Sequence, residues 1–275
     1  MSAASRQTSL LRQFIGSLAS HRELVWAMTK RDVIGRYRGS VMGIVWSFLN
    51  PVLMLAVYTF IFSVVFKARW NAGSDSKTEF AVVLFAGMIV FTLFSECINR
   101  APSLILSNVN YVKKVVFPLE ILPWVVMGSA LFHMAISLLV WLILYAVLHL
   151  SLNWTILFFP LILFPLVMFA MGISWFLASL GVYLRDIVQV VGVATTVLMF
   201  LSPIFFPVSA LPEKYRPFIY ANPFTFILEQ TRDVLIWGKL PDWPWLVVYA
   251  LGGIVVAIAG FAWFQKTRKG FADVL

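Results

Sequence analysis

The stretch NYVKKVVFPLEILP, Asn110 to Pro123, is a short charged interruption between two long apolar runs, and the whole chain is laid out around it. Phe80 to Leu106 precedes it and Ile121 to Leu150 follows it. Lys113, Lys114 and Glu120 cannot sit cheaply in hydrocarbon, because a basic residue at the middle of a spanning helix costs about 2.5–3.5 kcal/mol on insertion scales. The stretch therefore reads as a turn at a membrane surface, and its two lysines place it on the cytoplasmic side. Pro118 and Pro123 restrict the backbone where the next helix must begin. A compact cytoplasmic knuckle joining two spans is also where a soluble motor protein could push.

Composition agrees with the membrane reading. Of 275 residues, 61% are hydrophobic and 12% charged, and the mean hydropathy is +0.90. No soluble domain of this size hides so much apolar surface, so an all-α integral membrane protein is expected. The net charge of +9 does not point to nucleic acid, because the basic residues gather at the ends of apolar runs instead of along one face. The single Cys97 excludes an internal disulfide. No continuous apolar core with a small-residue cleavage site follows MSAASRQTSLLRQ, so no cleaved signal peptide is expected.

In chain order, residues 1–40 carry seven basic residues and form a cytoplasmic N-terminus. Within it His21 to Arg38 reads as an amphipathic interface helix, with Trp26, Arg31, Arg36 and Tyr37 suited to the headgroup layer. Six spans follow, at about 41–66, 80–106, 121–149, 154–184, 187–206 and 244–264, making a transmembrane domain over 41–264. Asn50-Pro51 should kink the first. The second carries Glu96 and Arg100 four residues apart, on one helix face, where they can pair and lower the cost of burial. The fourth has 31 residues, about 46 Å of helix and too long to stand upright. Residues 207–243 hold NPFTFILEQTRDVLIWG (Asn222 to Gly238), too polar to cross and too apolar for an open loop. A re-entrant pair of short helices, dipping in from outside, fits it. Residues 265–275 form a cytoplasmic tail. With both termini inside, cytoplasmic segments hold 13 of the 21 Lys and Arg residues, and they net +8 against +1 for the outer loops.

Several chemistries have no signature here. There is no GxxxxGK[ST] loop, no GxSxG and no HExxH, and His21, His133 and His149 share no ligand spacing, so no metal site is expected. Neither catalysis by this chain alone nor a nucleic-acid partner is expected. No internal repeat is apparent, which disfavours a secondary transporter.

Four stretches together carry a resemblance: TKRDVIGRYRGSVMGIVWSFLNP (Thr29 to Pro51), the knuckle, LGVYLRDI (Leu180 to Ile187) and the late NPFTFILEQTRDVLIWG. In this order among six spans, the chain resembles an ABC type-2 permease of the polysaccharide-export group, which moves O-antigen, capsule or teichoic-acid chains. The resemblance implies a homodimer in the bacterial inner membrane with two copies of a nucleotide-binding subunit, which would hold ATP and magnesium; this chain would bind no cofactor. It implies a coupling loop over 108–118, with Asn110, Tyr111, Lys113, Lys114 and Phe117 against the ATPase and Arg185 and Asp186 as a second contact. It also implies an outer gate that includes Phe224, Glu229 and Arg232, and a path lined by spans one and five. Trp46, Tyr58, Phe62, Tyr183, Phe200, Phe205 and Phe206 are available to hold a lipid-linked glycan. The absence of an obvious run of intramembrane cations tilts the expected cargo towards a neutral O-antigen. Competing readings are a capsule, teichoic-acid or small-molecule exporter, a membrane-embedded glycosyl or acyl transferase working without ATP, and a passive channel.

Overall fold

A computed structural model describes residues 14, 16–65, 70, 77–113, 117–149 and 152–275, and the described residues contain no strand. The principal helices are α1 (Arg22–Tyr37), α2 (Trp46–Tyr58), α3 (Lys77–Arg100), the five-residue α4 (Val109–Lys113) and α5 (Leu122–His149). They continue with α6 (Phe159–Tyr183), α7 (Ile187–Leu201), the short α8 (Arg216–Tyr220), α9 (Pro223–Leu235), α10 (Trp243–Thr267) and a last turn, α11 (Phe271–Val274). Among the described residues five stretches are long and apolar enough to cross a membrane: Gly43–Phe62, Glu79–Ser103, Leu119–Leu148, Trp154–Tyr183 and Trp243–Val274. The apolar α7 has 15 residues, about 22 Å of helix against a hydrocarbon core of about 30 Å.

Two features within the expected first and fifth spans bear on their shape. Proline at position 51 lies inside α2 and supplies no N–H, and beyond Tyr58 the chain widens into a π-helical turn over Thr59–Val65. The fifth apolar run stops being helical at Leu201, where Ser202 turns extended ahead of Pro203.

The helix α3 is the hub, with 78% of its apolar stretch buried by other helices, against 11% for α2. An apolar flank on α2 (Leu53, Met54, Val57) and another on α7 (Val193, Val197, Phe200) are left open. On the other side, α6 and α10 pack backbone to backbone. A Cβ on Gly260 would lie 2.0 Å from the Gly172 carbonyl oxygen, and one on Gly172 would lie 2.3 Å from that of Val256. In lipid, where burial of apolar surface gives helices little reason to associate, such small-residue contacts are what allows close packing.

Candidate functional site

The two ends of α3 organise two clusters. At the Arg100 end lies a network between α1, α3 and α5. Asp32 and Arg36 stand four residues apart on α1, and Glu96 and Arg100 stand four apart on α3 in the opposite charge order. The charges match across the helix contact: Arg100 Nη2 donates to Asp32 Oδ1 at 2.7 Å, and Arg36 Nη2 donates to Glu96 Oε1 at 2.5 Å. The expected pair within α3 is also there, at 3.6 Å, but each of its members has a closer partner on α1. From α5, His133 Nδ1 sits 3.1 Å from both Glu96 oxygens, and Ser129 Oγ donates to Asp32 Oδ2 at 2.7 Å. Glu96 is only 12% exposed, so this matching is what makes its burial tolerable. Burial pushes the Asp32 carboxyl up, but hydrogen bonds from Arg100 and Ser129 and the neighbouring guanidiniums outweigh it and hold the group below the ordinary carboxylate range. Gly128 lets α1 approach: a Cβ there would lie 2.7 Å from the Thr29 hydroxyl.

The same end carries the knuckle. The Tyr111 ring stacks on Phe117 at 4.4 Å, and its hydroxyl accepts from Arg31 Nη2 at 2.9 Å. Lys113 Nζ donates to the backbone oxygen of Leu275, and Arg268 bonds Glu120 at 2.8 Å. Asn110, Arg185 and Asp186 are exposed. Lys114 lies outside the described residues. The short α4 is thus tied to α1 on one side and to the C-terminal segment on the other. Tyr183, expected on the path, belongs to this end too: its hydroxyl donates to the Thr267 backbone oxygen at 3.0 Å and its ring meets Phe271. Trp26 is largely exposed beside the network.

Between the ends runs a line of aromatic rings. Tyr58 meets Phe62 at 6.5 Å, Phe62 stacks on Phe205 at 5.6 Å, and Phe205 stacks on Phe200 at 5.6 Å. Four of the seven expected path aromatics are brought together; Trp46 and Phe206 stand apart from the line. Below Tyr58 a cavity of about 340 Å³ opens between α1, α2, α3 and α5, and Tyr37, Asn50, Glu96 and His133 are among its lining.

At the Phe80 end, α9 is the most one-sided helix. Its N-cap Asn222 accepts from Phe224 N at 3.0 Å, and Phe224 packs edge-on against Phe94 at 4.5 Å. Arg232 is 3% exposed. Its Nη1 and Nη2 donate to the carbonyls of Pro203 (2.7 Å) and Ile204 (3.1 Å), and the guanidinium lies 4.3 Å over the Trp70 ring. Gly87 leaves the room, since a Cβ there would come within 2.9 Å of Nη2. Burial pushes the Glu229 carboxyl up, and Arg232 offsets part of that. Among the described residues no group of three or more His, Cys, Asp and Glu could hold a metal ion.

Sequence reasoning missed Asp32 and Ser129 as members of the network; His133, inside a span, reads from sequence as a hydrogen-bonder in helix packing, and the structure gives it Glu96 as its partner. The mirrored spacing of Asp32/Arg36 and Glu96/Arg100 was the available signal for Asp32; a serine in an apolar run gave none.

Apolar helices long enough to span a bilayer, packed around α3, define the chain as a helical membrane protein. The chain is a member of the ABC-2 type transporter family, whose sequence model matches residues 23–236. It is 27% identical over 263 residues to the O-antigen export system permease protein RfbA of Myxococcus xanthus, covering 95% of this chain and 98% of that protein. It is 26% identical over 255 residues to the protein of the same name from Klebsiella pneumoniae, covering 92% and 95%. The polysialic acid transport protein KpsM of Escherichia coli is 24% identical over 257 residues, covering 89% and 93%.

Proposed function

We propose that this chain is the transmembrane subunit of an ATP-driven exporter of lipid-linked polysaccharide, with O-antigen as its cargo. In this reading two copies form the path and two copies of a nucleotide-binding subunit, holding ATP and magnesium, dock beneath them at the cytoplasmic face of the bacterial inner membrane. Both termini are cytoplasmic, α7 completes six spans, and α8 with α9 forms the outer gate. The bare apolar flanks of α2 and α7 face the second copy across the pathway. The relatives support the cargo, since the stronger matches are named for O-antigen export, while those named for polysialic acid or capsule export, at up to 26% identity, match less strongly.

One observation carries the mechanism: α4 is joined to α1 through Tyr111 and Arg31, and α1 is joined to α3 through Asp32 and Arg100. Movement of an ATPase against Asn110, Tyr111, Lys113, Lys114 and Phe117 would therefore reach the hub helix without first crossing a loop. Arg185 and Asp186, at the same end, give the ATPase a second contact. A two-state element biased by nucleotide is what coupling requires, and a charge-latched surface helix is such an element. The glycan enters past Tyr37 and the cavity beneath Tyr58, passes the stacked rings of Phe62, Phe205 and Phe200, and leaves at the Phe80 end. Sugar C–H faces slide on aromatic rings without tight hydrogen bonds to break. The test is surface O-polysaccharide in cells carrying Lys113→Glu with Lys114→Glu, at normal levels of the assembled complex. The reading expects export to collapse with assembly intact; undiminished export contradicts it.

A further inference from the structure

At the Phe80 end a second polar cleft of about 420 Å³ lies over α9, lined by Tyr220, Glu229, Gln230, Asp233, Trp237 and Lys239 among others. We propose that this cleft binds a short run of neutral sugar units, holding the emerging glycan on the far side of the gate. The proposal rests on the export reading and on the orientation given above.

The cleft's groups divide into those already committed and those free for a ligand. Arg232 is taken up by carbonyls and by Trp70. Arg216 donates to the carbonyls of Leu211 (3.0 Å) and Ser209 (3.1 Å). Asp233 pairs with Lys239 at 3.3 Å, and Gln230 Oε1 accepts from Asp242 N at 2.8 Å. What remains is Glu229, a half-buried carboxylate that accepts no hydrogen bond among the described residues, in a cleft that half-buried Trp237 and exposed Tyr220 also line. A carboxylate can accept two hydroxyl protons at once, and charge-assisted bonds of this kind are the stronger ones. Flat rings in the same cleft offer the C–H faces of a pyranose a surface. That combination suits a polyol.

Charge decides which polyol. Among the described lining residues the one uncommitted ion is negative and the cations are engaged, so a sugar acid would bring a second negative charge against Glu229. A divalent cation is poorly served, because the neighbouring carboxylate of Asp233 is already bonded to Lys239. The volume lies in the range of small-ligand clefts.

The test uses the full transporter with its ATPase subunits in nanodiscs. The probes are lipid-free O-polysaccharide, released by mild acid from the lipopolysaccharide of the cells that supply the chain, and polysialic acid as the acidic comparator. Binding is read by saturation-transfer NMR and by thermophoresis. Glu229→Gln keeps the shape and removes the charge, and should weaken binding of the neutral polymer about tenfold. Trp237→Leu should weaken it by a similar factor through loss of the ring. Unchanged binding in both variants, or equal binding of polysialic acid, overturns the proposal. So does wild-type complex that exports normally yet binds no free glycan, an outcome that leaves the export reading standing. Deletion of the chain without loss of surface polysaccharide removes the export reading and the cleft with it.

Discussion

Replacing Asp32 by arginine tests the latch between α1 and the hub. In the native chain, Asp32 accepts from Arg100 at 2.7 Å. The variant would set a positive charge against Arg100 and one turn from Arg36. Unit charges about 4 Å apart interact by about 4 kcal/mol at an effective dielectric near 20. Asp32 and Arg100 are 28% and 31% exposed, so water screens part of that. Attraction of about 1–2 kcal/mol becomes repulsion of similar size, a swing of about 2–4 kcal/mol. That amounts to about thirtyfold to a thousandfold in the balance between docked and released α1. Export, assayed as surface polysaccharide per unit of membrane-inserted complex, should fall to near background. The second arm adds Arg100→Asp. The double variant presents two positive side chains on α1 to two negative ones on α3, so docking should return and export with it, short of full because Ser129 loses its acceptor. Wild-type export in Asp32→Arg, or no recovery in the double variant, would refute the latch.

Three further outcomes are expected. Because the Asp32 carboxyl is depressed on folding, its contribution to docking is complete above the ordinary carboxylate range and is lost only as pH falls through the lower folded value. Hydrogen-exchange protection of α1 should therefore hold from neutral to mildly acidic pH and drop only below that range. In Gly260→Ala the α6–α10 contact must part by about 1.4 Å to restore 3.4 Å from the Gly172 oxygen, so folded complex should be scarce in detergent extracts, whereas Gly252→Ala, with nothing within 4 Å, should extract normally. Arg232→Lys replaces a planar fork that reaches two carbonyls and covers a ring with a single ammonium, and should cost about 2–4 kcal/mol, read as a lower midpoint in thermal aggregation of the purified complex.

Hydropathy and charge spacing made much of the bundle legible. The knuckle, the surface helix and the one-faced Glu96 and Arg100 all stood out, because each reflects the cost of placing charge in hydrocarbon, which a linear sequence records. What stayed hidden depends on which helix faces which. The Glu96–Arg100 spacing predicts a pair along α3, yet the closer partners come from α1, since two antiparallel i,i+4 pairs of opposite order satisfy all four charges at once. That Gly172 and Gly260 let two backbones touch depends on how α6 and α10 meet, which spacing along one helix does not record. Among the aromatics, abundance defeated selection: Tyr58, Phe62, Phe200 and Phe205 share a line, while Tyr183 serves the C-terminal segment, and only the packing separates them.

The most direct measurement concerns the knuckle itself. Asn110 is exposed on α4, and Cys97 is the chain's single cysteine and buried, so Asn110→Cys with Cys97→Ala gives one addressable thiol. The account predicts that a membrane-impermeant maleimide labels it in inverted vesicles but not in intact cells, that the ATPase subunit protects it, and that a bifunctional reagent joins the two. Labelling from outside the cell, or labelling indifferent to the ATPase subunit, would contradict it.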